Sequence, residues 1–171
     1  MTNKLIVFFK MMVLYMLGRV DFELTATQIG EFMVLREYMT FFAFQQLLYD
    51  MEQDGLVTSS KENHQTFYHI EDAGRESLKF FAGGLQPDIR TEIDEYVRSR
   101  QWEMRETAST RTDYTLNTNG EYSVRLQELE MGLPLIDLTI TVPDEETARR
   151  VCDRWKDSSS DIYGFIMERL L

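Results

Sequence analysis

Wound at about 100° per residue, the chain that follows Thr40 places Phe42, Gln45, Gln46, Tyr49, Asp50 and Gln53 on one side of a helix. Those side chains could do recognition chemistry. A glutamine amide can meet adenine through two hydrogen bonds, and a Thr40 hydroxyl at the helix N-terminus could meet a phosphate. Phe42 and Tyr49 suit a base step or a protein contact equally. Asp50, Glu52 and Asp54 set negative charge beside this surface, and the helix has no Lys or Arg. Lys61, His64 and Gln65 lie about a later turn and could follow a groove or a backbone. Polar side chains at a turn are also ordinary loop chemistry.

Catalytic and metal-binding patterns are lacking. His64 and His69 are the only histidines and stand five apart on a hairpin, so they tend toward opposite faces. With one remote thiol, Cys152, they form no metal-ligand spacing. There is no serine triad order, no glycine-rich phosphate loop and no polarised carboxylate pair. Asp144, Glu145 and Glu146 open a helix and complement its dipole. No enzyme, cofactor or metal is expected. Cys152 reads as a small buried hydrophobe; Arg149 and Arg150 could activate it, but Asp153 opposes them.

The elements that would carry these residues follow from periodicity. Asn3 to Gly18 is a helix with apolar residues all round, so it needs cover on more than one side, with another subunit as a candidate for the second. Phe22 and Leu24 suit a short strand. Thr25 caps a helix bearing Ile29, Phe32 and Met33. Thr40 caps the next, whose core stripe is Phe44, Leu47, Leu48 and Met51, and Asp54-Gly55 ends it. Two strands, Leu56 to Ser60 and Thr66 to Ile70, flank Glu62-Asn63-His64. Asp72 is expected to cap a helix with Leu78 and Phe81 on one face, and Gly83-Gly84 breaks it. Pro87 opens a helix with an Ile89, Ile93, Tyr96, Val97 stripe.

From about Glu103 strands are expected. Asn119-Gly120 signals a two-residue hairpin, and Tyr122, Val124, Leu126 and then Ile136, Leu138, Ile140, Val142 alternate. Pro143-Asp144 begins a helix, and Ser158-Ser159-Ser160 begins a second with Ile162, Phe165, Ile166 and Leu170 along one stripe. The expected fold class is α+β: an N-terminal winged helix-turn-helix over residues 1–83, a linking or dimerising helix over 84–102, and a C-terminal module over 103–171 of three antiparallel strands and two helices.

The run Tyr68-His69-Ile70-Glu71-Asp72-Ala73-Gly74 resembles the end of the wing in bacterial winged-helix regulators of the PadR and MarR type, with Glu71 where those often carry threonine. More closely, the chain resembles a bacterial winged-helix family catalogued only as a domain of unknown function. That likeness rests on Leu24-Thr25, Phe44-Gln45-Gln46, Leu47-Leu48, Asp54-Gly55-Leu56 and Pro87-Asp88-Ile89-Arg90. It covers nearly the whole chain, and its motifs are core and turn residues, specific for fold rather than activity. The resemblance implies a transcriptional regulator and supplies no catalytic residues.

Charge sets the terms. The 171 residues carry a net −11, and residues 1–97 hold eight basic against fifteen acidic side chains. Phosphate neutralisation supplies most nucleic-acid affinity, so such a chain needs a local basic patch. Arg36, Arg75, Lys79, Arg90, Arg98 and Arg100 are its candidates, although solvated helix faces would use the same residues. Leu5 to Leu17 is apolar, but 13 residues are too few to span a bilayer, Lys10 interrupts them, and the exit lacks a small-residue cleavage site. A cytoplasmic protein follows, with no membrane partner. Its expected partners are duplex DNA, a second copy of itself and, as the alternative to DNA, another protein.

Overall fold

The computed structural model describes residues 3–62 and 65–171, which fold into two units. Of the described residues, the first comprises 3–61 and 65–104, the second 62 and 105–171. Helix α1 (Asn3–Gly18) precedes strand β1 (Leu24–Thr25), helix α2 (Ala26–Leu35) and helix α3 (Phe41–Gln53). Strands β2 (Val57–Glu62) and β3 (Gln65–Ile70) follow, then α4 (Asp72–Phe81), a 3-10 turn (Ala82–Gly84) and α5 (Pro87–Ser109). The second unit adds β4 (Thr110–Leu116), β5 (Tyr122–Glu130), β6 (Leu133–Val142) and α6 (Glu145–Leu170). The architecture is mixed α+β, with two three-stranded sheets in the orders β1-β3-β2 and β4-β5-β6.

Local chemistry fixes the first unit. Thr25 closes a reciprocal cap on α2: its hydroxyl accepts from Gln28 N at 3.1 Å, and Gln28 Oε1 accepts from Thr25 N at 2.9 Å. Between α2 and α3 the chain turns through Glu37, whose φ of 62° is left-handed, and Met39 N donates back to Met33 O. Ile29, Phe32, Met33, Phe44, Leu48 and Met51 are then fully buried together. Met12, Val13, Leu14 and Met16 join them with no exposed surface. Cover for α1 comes from α3, α4 and β3 of the same chain, while Leu5 and Val7 near its start stay exposed. The α5 stripe is likewise consumed internally: Ile93, Tyr96 and Val97 are buried, and Tyr96 Oη donates to Gln28 O at 2.7 Å.

In the second unit one face of the sheet carries Val124, Leu126 and Val142, and α6 covers it with Ala148, Cys152 and Trp155. Trp155 Nε1 donates to Gln127 O at 2.9 Å, so the indole is both packed and satisfied. Asp144 caps α6, accepting from Thr147 N at 2.7 Å.

Three expectations are corrected here. Only one helix follows β6: Ser158-Ser159-Ser160 continues α6 without a break. Serine costs little inside a helix, and Ser159 is a small buried residue on the sheet-facing stripe. Strands do not begin near Glu103, because α5 runs to Ser109; buried Met104 and Ala108 extend the helical stripe past Val97. Asn119-Gly120 is not a two-residue hairpin. Asn117 N donates to Glu121 O at 2.8 Å, which leaves Thr118, Asn119 and Gly120 as a three-residue loop, and Asn117 Oδ1 accepts from Asn119 N and Glu121 N. The tight two-residue turn is Met131-Gly132, where both φ angles are positive (51° and 78°) and Glu130 pairs with Leu133.

Candidate functional site

Helix α3 divides its residues between two sides. Phe44, Leu47, Leu48 and Met51 are buried, while Gln45, Gln46 and Gln53 are exposed, with Phe42 85% and Tyr49 57% exposed. Thr40 is the N-cap, and its Oγ1 accepts from Ala43 N at 3.4 Å. Gln46 Nε2 donates to Asp50 Oδ1 at 2.7 Å, so one of its amide donors is already occupied along the helix. Gln45 makes no such bond among the described residues. Lys61 and Gln65 are exposed at the turn end of the β2–β3 hairpin, and His64 lies outside the described residues.

Beside this surface is a shallow cleft between α2 and α3, about 360 Å³, whose walls include Gly30, Val34, Leu35, Phe41 and Phe44. Gly30 makes the close approach possible, since a Cβ there would meet the Phe44 ring at 3.0 Å. Leu35 is 75% exposed and Phe41 58%, and the Phe41 and Phe42 rings stand edge to face with centroids 6.1 Å apart. Sequence reasoning placed Phe42 outward but missed Leu35 and Phe41. The available signal was surplus: Phe41-Phe42 and Val34-Leu35 supply more apolar side chains than one inward stripe can hold.

Four carboxylates around α2 and α3 meet a donor. Glu31 accepts from Arg100 and Tyr96, Glu52 from Ser59 at 2.7 Å, Asp50 from Gln46, and Asp54 pairs with Lys10 at 2.6 Å. Of the cations that could have formed a patch, Arg36 pairs with Glu92 at 3.3 Å and lies over the Phe32 ring, Arg100 holds Glu31, and Arg90 Nε donates to Leu85 O. They brace the scaffold instead of converging on α3. Burial, then the bond to Glu92, pushes the Tyr38 phenol up to about 12; burial, then the Glu31 charge, does the same for Tyr96. In the second unit burial pushes the Cys152 thiol up, which suits a packing role over a nucleophilic one. Among the described residues no helix is long and apolar enough to cross a membrane.

A family model matches residues 9–170. The chain belongs to the family described as Domain of unknown function (DUF4364). No curated protein and no solved structure matches it significantly.

Proposed function

We propose that the first unit of this DUF4364 protein is a winged helix and that the protein is a transcriptional regulator, reading duplex DNA as a homodimer in the cytoplasm. The observation that carries this reading is the outward face of α3, free of packing duties and bearing Gln45, Gln46 and Tyr49. The element order around it supports the assignment. Helices α1, α2 and α3 precede a β2–β3 hairpin, and β1 closes the small sheet. In this reading Gln45 and Gln46 address base edges, Thr40 approaches a phosphate, and Lys61 and Gln65 of the hairpin touch the backbone. The internal donors held by Asp50, Glu52 and Asp54 soften their repulsion of phosphate.

The test is fluorescence anisotropy with a pool of genomic fragments at about 50 mM salt. The expected outcome is binding that weakens as salt rises. Gln45→Ala with Gln46→Ala should erase sequence preference, worth about 1–3 kcal/mol per bidentate contact, and leave the circular dichroism unchanged. Absence of any association at that salt would remove the DNA reading.

One observation favours a second reading, a protein-binding module without DNA affinity. No Lys or Arg lies on α2 or α3, while Leu35, Phe41 and Phe42 are presented to solvent. Under this reading Phe42→Ser abolishes recovery of a protein partner, and unchanged recovery counts against it.

A further inference from the structure

The geometry points to the free edge of β6 as the surface through which two copies of this chain join. It rests on the homodimer part of the reading above. Strand β6 is the outer strand of the order β4-β5-β6, so one row of its backbone amides and carbonyls has no partner within its sheet. A register shift sets Ile136 opposite Glu128 and Pro134 opposite Leu129, leaving Leu135 bulged. The regular stretch is therefore Ile136–Val142. Its sequence alternates apolar and polar, Ile-Asp-Leu-Thr-Ile-Thr-Val, and the alternation is symmetric about Thr139.

That symmetry selects the occupant. An antiparallel pair about a two-fold axis through Thr139 sets Leu138 against Ile140, Ile136 against Val142 and Asp137 against Thr141. Like meets like on both faces, as an isologous contact requires. The stretch has no Lys and no Pro to discourage pairing. Its one charge, Asp137, is already met on the neighbouring strand by Arg125 at 3.0 and 2.5 Å and by Gln127 at 2.9 Å. The opposite edge, β4, carries both Arg111 and Asp113. Helix α6 lies chiefly over β5 and β4, and Ile140 keeps 40% of its surface exposed. Edge pairing would cover that remaining apolar strip between two α6 helices in a continuous six-stranded sheet.

Sedimentation of the full chain over a range of concentrations tests this. Wild type is expected to dimerise. Thr139→Glu brings two like charges to the two-fold axis, while Arg125, its neighbour in register, accommodates it in each monomer. The expected result is association weakened at least tenfold in favour of monomer, with native circular dichroism; Thr139→Lys repeats the test with the opposite sign. Thr141→Lys, facing Asp137 of the other copy, should preserve the dimer. A wild-type monomer at every concentration overturns the homodimer itself. A dimer indifferent to both Thr139 variants overturns this surface alone, and equal weakening by Thr141→Lys overturns the register and the proposal with it.

Discussion

Alanine at Gly74 would place a Cβ 2.2 Å from the carbonyl oxygen of Leu56, with Ile70 Cγ1 and Leu14 Cδ2 each at 3.0 Å. The two side chains can shift, but the carbonyl cannot move freely, because it accepts from Glu71 N at 3.0 Å. Carbon and carbonyl oxygen rest at about 3.3 Å or more, so helix α4 must retreat by about 1 Å. Overpacking of this kind costs about 1–3 kcal/mol, and disturbing the Glu71 hydrogen bond adds about 0.5–1.5. Alanine returns up to about 1 kcal/mol of helix propensity. The net expectation is a loss of about 2 kcal/mol, or a melting temperature lower by about 4–8 °C for a chain of this size. Urea unfolding followed by circular dichroism measures it, with Gly83→Ala as control, since a Cβ there meets nothing within 4 Å. A Gly74→Ala protein within about 0.5 kcal/mol of wild type, the range of neutral surface changes, would refute the close contact.

Two further outcomes follow from local geometry. Met131 occupies a left-handed position at φ 51° and is 83% exposed, so Met131→Asn should stabilise the second unit by about 0.5–1 kcal/mol, read as a raised urea midpoint; a lowered midpoint would contradict the turn assignment. Tyr38 and Tyr96 keep their protons up to about pH 12, whereas an unfolded tyrosine releases its own near pH 10. The folded state therefore binds protons that the unfolded chain has lost. The corresponding stability is complete below pH 10 and disappears as pH rises through 12. Ultraviolet titration should show Tyr38 and Tyr96 ionising late, with unfolding, beside Tyr15 and Tyr68, which burial also pushes up; native protein in which every tyrosine ionises near pH 10 would exclude it.

The helices α2 and α3 were legible because each carries its own period and its own cap. Thr25 and Thr40 mark starts, and Phe44, Leu47, Leu48 and Met51 define which way α3 turns. The outward placement of Phe42, Gln45, Gln46 and Tyr49 followed from the same rotation. What depends on contacts across the fold was not legible. Ser158-Ser159-Ser160 looked like a helix start because serine caps well, and only the sheet beneath Ser159 shows why α6 continues. The Met131-Gly132 turn hid behind a methionine, a residue that turn statistics disfavour at positive φ. The α2–α3 cleft hid behind Gly30, whose missing side chain matters only once Phe44 lies against it.

Because the anchoring residues of α3 and its solvent-side residues do not overlap, the make-up of its outer face and whether it folds are governed by separate alphabets. Substituting Phe42, Gln45 or Tyr49 draws on neither the buried cluster nor the threonine cap. A lineage, or an experimenter with a randomised library, could therefore retarget this surface again and again on an unchanged support.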